Sequence, residues 1–339
     1  MRAVMMRAQG APDVLKVENV AVPEIRPNEV LVKVEAAGVS YHDVVERNGA
    51  YTRGLKLPMI LGYEIAGKVE QVGAAVTTLK VGDRVCNKPF HSCGLCRRCR
   101  TGMETACEKR RGVRGGYAEY VALAEEVLVT VPDSIGGDAA CMIGPTTAVA
   151  LNAVRDTAHV TLGDRVLVTG ASGGLGLPSI ELARAAGASV IALTRSAAKR
   201  DRLIAMGADH VVVADDGADF SEAVKAITGG DGVEVVIDNV GSRVFTPCFK
   251  SLAVGGRYAF VGQLMREEIS INPARIFFKR ARFLGVGSAR RDQLEDAVRL
   301  VAAGKVTPIV AEILPLEAAA EAHAKLEAGE VVGRIVLRP

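Results

Sequence analysis

The chain has 339 residues, more than one hydrophobic core usually serves, and this length predicts two domains. The formal net charge of +3 is too small to indicate nucleic acid or a membrane surface as a partner. No apolar run is long enough to span a bilayer, and the N-terminus lacks the long apolar stretch of a signal peptide. We therefore expect a cytoplasmic protein.

The first third of the chain is predicted to be β-rich, because Val and Ile alternate or cluster between Gly, Pro and Asn. A strand is predicted at 30–34, and a helical pattern first appears near Asp138. From there, strands predicted at 165–170, 189–194, 208–213, 233–241 and 256–262 alternate with helices predicted at 177–187, 196–207 and 219–230. This alternation is typical of a doubly wound parallel sheet. A strand at 282–288, a helix at 291–306 and a strand at 333–337 are predicted to follow.

The strand predicted at 165–170 leads directly into a glycine-rich loop and then into a helix. The loop reads Gly170, Ala171, Ser172, Gly173, Gly174, Leu175, Gly176. Glycines let the backbone turn tightly against a pyrophosphate, and the helix N-terminus offers free N–H groups. The loop therefore predicts a dinucleotide site, with an ordinary glycine-rich turn as the alternative.

The end of the next predicted strand distinguishes NAD from NADP. An NAD site usually has an acidic residue there for the ribose 2′-hydroxyl, but the sequence reads Thr194, Arg195, Ser196, Ala197, Ala198, Lys199. Arg and Lys are suited to a 2′-phosphate, so Arg195, Ser196 and Lys199 predict NADPH rather than NADH. Surface charges at the start of the next helix are the alternative interpretation.

Four of the seven cysteines lie close together in the sequence, in a Cys-x2-Cys-x2-Cys-x7-Cys pattern formed by Cys93, Cys96, Cys99 and Cys107. An odd count in such a chain does not indicate a disulfide framework. Four thiolates close a tetrahedral shell around Zn²⁺ and leave no open position, which predicts one structural zinc; His91 is a nearby alternative ligand. A basic patch surrounds the cluster, either solvated or binding phosphates such as those of coenzyme A: Arg97, Arg98, Arg100, Lys109, Arg110, Arg111 and Arg114.

Nearly the whole chain resembles the medium-chain zinc alcohol dehydrogenases. The resemblance rests on the cysteine lobe, the GASGGLG loop and the stretches AAGVSYHD, LGYEIAGKVEQVG, VGDRV, GGYAEY and VVGRIVL. It implies an α/β fold with a chaperonin-10-like, β-rich catalytic domain and a Rossmann domain, and an active site in the cleft between them. We place the catalytic domain at 1–126 with its zinc lobe at about 91–109, the Rossmann domain at 127–265, and a C-terminal return at 266–339.

The resemblance fails at the catalytic zinc. Members that carry this ion hold it with a Cys, a His and a second Cys, and the matching positions here are Ser40, Tyr63 and Met142. Cys141 is one residue away from the third position, and one residue turns a helical side chain by about 100°. Neutral Ser, Tyr and Met are poor Zn²⁺ ligands beside thiolate and imidazole, so we infer that the catalytic metal is absent.

Without this Lewis acid, hydride transfer to an activated C=C bond remains feasible, as in the zinc-free quinone oxidoreductases and the enoyl or acryloyl-CoA reductases that the chain resembles. Tyr63 is the first candidate for the group that stabilises the enolate oxygen or supplies the proton, with Tyr41, Tyr51 and His42 as rivals. Ser40 belongs to the same stretch, and Asp43 is a candidate to orient Tyr63 or His42. We interpret Glu64 as half of a buried ion pair.

Further residues are assigned by the resemblance. It places the nicotinamide half of the cofactor beside Thr146, Asn239, Val240, Gly241 and Gly262. It also implies a homodimer or homotetramer paired through a strand near 283–287, and a small-molecule substrate, of which a coenzyme A thioester is one form. The walls of the substrate pocket are expected from 49–56 and 264–278. His159, His210 and His323 lie outside the motifs and are interpreted as structural or surface residues.

Two rival functions stay open. The first is an alcohol or carbonyl oxidoreductase that works with a displaced active-site metal or with none. The second is an NADPH-binding protein with little catalysis, which would bind the cofactor without turning over any enone.

Overall fold

The computed structural model describes residues 1–52, 54–215, 217–263 and 267–339. Its strands, in chain order, are β1 (Arg2–Met6), β2 (Leu15–Asn19), β3 (Glu29–Val39), β4 (Met59–Ile60), β5 (Glu64–Val72), β6 (Arg84–Asn87), β7 (Phe90–His91), β8 (Arg111–Gly112), β9 (Tyr120–Ala124), β10 (Leu128–Thr130), β11 (Arg165–Val168), β12 (Ser189–Thr194), β13 (His210–Val213), β14 (Val233–Asp238), β15 (Leu252–Phe260), β16 (Arg282–Gly285), β17 (Val310–Pro315) and β18 (Arg334–Arg338).

The helices, in chain order, are α1 (Tyr41–Arg47), α2 (Arg97–Arg100), α3 (Gly137–Met142), α4 (Val149–Leu151), α5 (Gly176–Ala185), α6 (Arg200–Ala205), α7 (Ser221–Ile227), α8 (Ser242–Ser251), α9 (Pro273–Lys279), α10 (Arg291–Ala302) and α11 (Ala319–Ala328). Two π-helical segments, Ile143–Ala148 and Asn152–Thr157, flank α4. No helix among the described residues is both long enough and apolar enough to cross a membrane.

The chain forms two compact units. The first comprises Met1–Ala148 and Ser288–Pro339, and the second comprises Val149–Gly287. These bounds differ from the domain boundaries that the sequence suggests after residues 126 and 265, of which residue 265 lies outside the described residues. The sequence-based boundaries stay a prediction.

The first unit is built around a mixed sheet whose path runs β10-β6-β5-β3-β18-β17, with β9 also paired to β3. The central strand β3 pairs with β5, β9 and β18, all antiparallel, and β17 lies parallel to β18. Val30, Val32 and Val34 of β3 belong to the buried core together with Ile65 and Ile335 of its neighbours. This packing holds the start of α1 and the start of β5 against the same central strand.

The second unit is a six-stranded sheet in the order β13-β12-β11-β14-β15-β16, and every pairing in it is parallel. The strand order reverses between β11 and β14, because the chain adds β12 and β13 on one side and later returns to the other. Ligands of open parallel sheets bind beyond the carboxyl ends of the strands at such a reversal. The doubly wound parallel sheet predicted from the sequence is therefore confirmed, and its binding crevice lies after Val168 and Asp238.

Several elements differ from the sequence prediction. Helix α1 forms well before Asp138, and its seven residues are too few for an apolar period to be visible. Helix α8 was hidden because Pro247, which lacks a backbone N–H, lies inside it. Strand β17 and the alanine-rich α11 were also missed.

Candidate active site and metal centre

Asp238, the last residue of β14, organises the crevice of the second unit. Its Oδ1 accepts hydrogen bonds from Thr169 Oγ1 at 2.7 Å and from the backbone N–H groups of Val240 and Gly241, both at 3.0 Å. Its Oδ2 accepts from the hydroxyl of Tyr258 at 2.7 Å. Burial raises the pKa of Asp238 despite these bonds. The carboxyl group thus holds the loop after β14 against the end of β11.

The glycine-rich loop after β11 turns so tightly that it leaves no room for a side chain at Gly176. Gly170 has a φ of +56°, and a Cβ on Gly176 would lie 2.3 Å from Gly170 O and 2.5 Å from Ala171 O. Gly173 N donates to Gly170 O at 3.0 Å, closing the turn before α5 begins at Gly176. This backbone can come close to a phosphate, and the N-terminal N–H groups of α5 face the turn that it makes.

Asn239 leaves a polar atom available beside this loop. Its backbone N–H donates to Thr169 Oγ1 at 2.9 Å and its Nδ2 to Thr169 O at 2.9 Å. Its Oδ1 is buried and has no hydrogen-bond partner among the residues that the structure describes. A Cβ on Gly262 would lie 2.6 Å from Asn239 O. An orphaned acceptor beside a side-chain-free cradle fits a dinucleotide, whose ribose hydroxyls supply donors.

Two cationic side chains, Arg195 and Lys199, follow the end of β12. Burial, and after it the charge of Arg195, lowers the pKa of Lys199. Thr194 Oγ1 accepts a hydrogen bond from Ser196 N at 3.2 Å and shapes the turn between them. Neighbouring cations of this kind form a site for an anion.

The predicted cofactor residues divide between the two units. The second unit brings most of them to the carboxyl ends of β11, β12, β14 and β15: Gly170, Ser172, Gly173, Gly174, Leu175, Gly176, Thr194, Arg195, Ser196, Lys199, Asn239, Val240, Gly241 and Gly262. Thr146 belongs to the first unit, where it is buried and its Oγ1 donates to Met142 O at 2.5 Å.

Three of the catalytic candidates form one cluster in the first unit. The ring of His42 lies 4.8 Å from the ring of Tyr63 and 5.5 Å from that of Tyr51, measured between centroids. His42 Nε2 lies 3.1 Å from Glu46 Oε1, and Glu46 also accepts from the guanidinium of Arg114 at 2.5 Å. Burial works to raise the pKa of Glu46, but His42 and Arg114 outweigh it and the pKa is lowered. A buried carboxylate thus fixes the imidazole between two phenols.

Ser40 and Asp43 form the cap of α1. Ser40 Oγ lies 2.6 Å from Asp43 Oδ2, and Asp43 N donates to Ser40 Oγ at 3.2 Å. Asp43 Oδ1 accepts from Gly62 N at 3.0 Å. Asp43 is therefore linked to Tyr63 through the backbone of the preceding residue, whereas His42 Nε2 contacts Glu46. The role of Asp43 in orienting Tyr63 or His42 stays a prediction.

Tyr63 is anchored through its backbone. Its carbonyl accepts from Asn87 Nδ2 at 3.0 Å, and Asn87 Oδ1 accepts from Ile65 N at 2.8 Å. Burial, followed by the charge of Glu64, raises the pKa of Tyr63, so its phenol keeps its proton. Asn87 was missed from the sequence, because an Asn that ends a strand gives no signal of the backbone it holds.

Glu64 forms the expected buried ion pair. Its partner is Arg334, whose Nε lies 3.0 and 3.1 Å from the two carboxylate oxygens and whose NH2 lies 2.8 Å from Oε1. Burial raises the pKa of Glu64 although Arg334 opposes it. The ion pair with Arg334 thus holds the side chain of Glu64 in the core of the sheet.

Three further candidates lie in α1 and α3. Tyr41 is half-buried at the start of α1, and Met142 is buried at the end of α3. Cys141 is also buried, with its thiol 3.3 Å from Asp138 O, and burial raises its pKa. The predicted pocket segments 49–56 and 264–278 include Arg53 and 264–266, which lie outside the described residues.

The four clustered cysteines fit a tetrahedral metal shell. Four of their S···S distances lie between 3.5 and 4.0 Å. A tetrahedron with metal–sulfur bonds of about 2.3 Å has edges of about 3.8 Å, so one ion fits at the centre. Backbone N–H groups of Cys99 and Glu108 lower the pKa of Cys96 to about 6, which favours the thiolate. Across 1–52, 54–215, 217–263 and 267–339 this is the one group of three or more His, Cys, Asp or Glu side chains close enough to share a metal.

A buried cation supports the cysteine lobe. Lys88 Nζ lies 2.8 Å from Glu104, 3.0 Å from Glu126 and 3.0 Å from Ser92 Oγ. His91 Nδ1 lies 3.1 Å from Glu126 Oε1, so in this arrangement the imidazole binds a carboxylate rather than completing the thiolate group.

The comparisons with known proteins agree with this architecture. The family model of the alcohol dehydrogenase GroES-like domain matches residues 26–133, and that of the zinc-binding dehydrogenases matches 174–303. Acryloyl-coenzyme A reductase of Sulfurisphaera tokodaii is 33% identical over 344 residues, which cover 100% of both chains.

Two crystal structures are similar over the full chain. An NAD-dependent alcohol dehydrogenase superposes with a TM-score of 0.94 at 38% identity, covering 100% of both chains. The structure of AibC superposes with a TM-score of 0.92 at 41% identity, covering 100% of this chain and 96% of the other. These matches confirm the predicted chaperonin-10-like and Rossmann folds, and a nicotinamide cofactor and a small-molecule substrate fit them. The chain therefore belongs to the medium-chain dehydrogenase/reductase superfamily and is an oxidoreductase of that type.

Proposed function

We propose that this protein is an NADPH-dependent reductase that saturates an activated C=C bond, in an enone or an enoyl thioester, without a catalytic metal. The observation that carries the proposal is the cluster of Tyr63, His42 and Tyr51. It occupies the part of the first unit where zinc-dependent members of the superfamily carry metal ligands, and it presents hydroxyl groups instead.

The residues of the second unit hold the cofactor in this proposal. Arg195 and Lys199 bind the 2′-phosphate, the loop 170–176 accommodates the pyrophosphate, and Asn239 Oδ1 accepts a hydrogen bond from a ribose hydroxyl. The cofactor held there would supply, as NADPH, the hydride that the β-carbon of the substrate gains.

Tyr63 polarises the substrate. Because its raised pKa keeps the phenol protonated, the hydroxyl donates to the carbonyl oxygen, on which negative charge develops as the β-carbon gains its hydride. A proton from water then adds to the α-carbon of the enolate, and the product is the saturated carbonyl compound. His42 packs against the phenol and keeps the ring in place while Glu46 fixes the imidazole.

The metal in this proposal is structural. Zn²⁺ held by Cys93, Cys96, Cys99 and Cys107 rigidifies the lobe and takes no part in the reaction, since a four-thiolate shell has no open position. We also place the protein in the cytoplasm. We propose that it forms a homodimer or homotetramer, and light scattering of the purified chain tests this oligomeric state.

An alcohol or carbonyl oxidoreductase is the second candidate. It is favoured by the 38% identity to a structure of an NAD-dependent alcohol dehydrogenase. Metal content separates the two: a second tightly bound ion per chain supports this candidate, and a single ion supports the reductase. A quinone oxidoreductase is a further alternative, tested by the same substrate panel.

The experiment mixes the protein with NADPH or NADH and a panel of enones, enoyl-CoA thioesters, quinones and ketones, and follows the absorbance of the reduced nicotinamide. We expect turnover of enones or enoyl thioesters with NADPH, and much slower turnover with NADH. Turnover of ketones alone would overturn the proposal, and so would NADPH binding with no turnover of any compound.

A further inference from the structure

His42 uses one ring nitrogen for a contact within the first unit and leaves the other available. Its Nε2 lies 3.1 Å from Oε1 of Glu46, which is one turn further along α1. Its Nδ1 has no hydrogen-bond partner among the described residues, and it is not one of the buried side-chain atoms that lack a partner. The side chain is 36% exposed. Nδ1 is therefore open to a molecule that enters beside the ring.

Arg114 keeps the partner of His42 in its ionised form. The guanidinium contacts both oxygens of Glu46, with Nε 3.2 Å from Oε1 and 3.1 Å from Oε2, and with NH2 2.5 Å from Oε1. Glu46 is 1% exposed, and burial works to raise its pKa, but His42 and Arg114 outweigh burial and the pKa is lowered. Arg114, which the sequence assigns to a basic patch, thus acts on a buried carboxylate of α1.

The carboxylate decides which nitrogen of His42 carries the hydrogen. An ionised carboxylate accepts hydrogen bonds and has none to donate. A neutral imidazole has one N–H and one lone pair, and the N–H must face such a partner. Nε2 of His42 therefore carries the hydrogen, and the open nitrogen, Nδ1, carries the lone pair.

The imidazole lies beside two phenols, whose hydroxyl groups are hydrogen-bond donors. Its ring centroid is 4.8 Å from that of Tyr63 and 5.5 Å from that of Tyr51. Tyr51 is tied to the same helix, because its backbone N–H donates to Val45 O at 2.8 Å. The cluster thus places a fixed acceptor next to donors. A ligand that uses both must carry an acceptor and a donor close together.

We propose that His42 is a specificity-determining residue whose Nδ1 accepts a hydrogen bond from a donor that the substrate carries near its carbonyl group. This role rests on the proposed function, in which Tyr63 donates to the carbonyl oxygen of the same molecule. Enoyl thioesters of an acylated cysteamine meet the requirement, because an amide N–H lies two methylene groups beyond their sulfur. Simple enones and alkyl thioesters have no such donor. Glu46 and Arg114 are positioning residues, since they act through the tautomer of His42.

The first test observes His42 by ¹⁵N NMR of the full-length chain with NADP⁺. With five histidines in the sequence, His42→Gln identifies the signals by removing them. We expect a neutral ring with hydrogen on Nε2. The Nδ1 signal should shift when a saturated thioester of N-acetylcysteamine is added, and not when an ester oxygen replaces the N–H of that compound. Hydrogen on Nδ1, a charged ring at neutral pH, or equal responses to the two compounds would overturn the proposal, whether or not the protein reduces any thioester.

The second test compares the reduction of the two matched enoyl thioesters, one with the amide N–H and one with the ester oxygen in its place. We expect kcat/KM of the wild type to be about tenfold higher for the amide, the scale of one hydrogen bond. In His42→Phe, which keeps an aromatic ring beside Tyr63 but has no acceptor, the preference should disappear. Reduction of both compounds without preference in the wild type, or with the same preference in His42→Phe, would refute the specificity role and leave the proposed function intact.

The third test reverses the tautomer. In Glu46→Gln, Arg114 holds the amide oxygen, so the NH2 group faces His42 Nε2, which must then accept, and the hydrogen moves to Nδ1. We expect an Nδ1–H signal and loss of the preference for the amide. The matched control is Arg97→Met, because Arg97 is an exposed member of the same basic patch on α2, and it should behave as wild type. A folded Glu46→Gln that keeps hydrogen on Nε2 overturns the positioning role; if this variant does not fold, the first two tests decide the question.

Discussion

Replacing Glu64 by Leu is expected to destabilise the first unit by about 4 kcal/mol, because it leaves a buried cation without its counter-charge. Glu64 is fully buried on β5, and Arg334 of β18 reaches it with three N–H···O contacts of 2.8 to 3.1 Å. The two strands flank β3, where a Cβ on Gly38 would lie 2.2 Å from Glu64 Oε2. The carboxylate of Glu64 therefore occupies space that a side chain at position 38 would need.

The magnitude follows from what each substitution leaves behind. Removing one partner of a buried pair costs about 3–5 kcal/mol, and the remaining guanidinium has little access to water. Removing both charges, in Glu64→Leu with Arg334→Met, should leave the protein within about 2 kcal/mol of wild type, because no buried charge remains. The two substitutions are thus strongly coupled, and the double variant is more stable than Glu64→Leu alone.

Urea unfolding followed by far-ultraviolet circular dichroism measures these differences, since the chain has no Trp to report by fluorescence. The control is Glu18→Leu, which removes an ion pair with the exposed Arg7 and should change stability far less. Equal losses in the single and double variants would refute the reasoning, because they would mean that the carboxylate contributes packing and no charge.

Four further results are expected. Elemental analysis should find a metal ion in each chain, and Cys96→Ser should lose it together with a lower Tm. Replacing Arg195 and Lys199 by Ala should raise the KM for NADPH about 10- to 100-fold and leave that for NADH nearly unchanged, because only NADPH carries the 2′-phosphate. Tyr63→Phe should lower kcat about 100-fold in steady-state assays of C=C reduction, with little effect on KM. Asp219 has its pKa lowered to about 2, first by Lys250 and then by Ser221, so its stabilisation is present above the unfolded pKa and is lost as pH falls from about 4 to 2; Asp219→Asn should show a shallower loss in acid unfolding.

Each of these expectations has a contrary outcome. Metal retained by Cys96→Ser would mean that other ligands hold it. If replacing Arg195 and Lys199 raised the KM for NADH as much as that for NADPH, the two side chains would contact a part that both cofactors share. A Tyr63→Phe enzyme with full activity would pass the role to Tyr51 or Tyr41. An unchanged acid transition in Asp219→Asn would mean that Lys250 does not stabilise the carboxylate in the folded chain.

The second unit could be predicted from the sequence because its signals are local. Apolar strands that end in glycine or aspartate, followed by helices, give both the sheet and the position of its crevice. The cysteine cluster is equally local, since all four thiols lie within one short segment and their spacing alone selects a tetrahedral site. Helix α8 was not predicted because Pro247, which lacks a backbone N–H and usually ends a helix, lies inside it.

The partners of the catalytic candidates could not be predicted, because they lie far away in the sequence. Arg334 reaches Glu64 across 270 positions, and His323 reaches Tyr117 across 206. One signal was available: Ser40 and Asp43 have the spacing of a capping box, which would have indicated α1 and the hydrogen bonds between these two residues.

Lys88 has a consequence for the way the protein would respond to a chelator. Its ammonium is nearly inaccessible to water, and Ser92 and Glu104, which neutralise and solvate it, belong to the segment that the thiolates tie together. Glu104 also accepts from Arg291 N at 2.6 Å, at the first turn of α10. Removing the metal would therefore separate Glu104 both from the buried ammonium of Lys88 and from the backbone N–H of Arg291 at the first turn of α10. We therefore expect that loss of the metal bound by the four cysteines unfolds the first unit cooperatively, rather than loosening the cysteine segment alone.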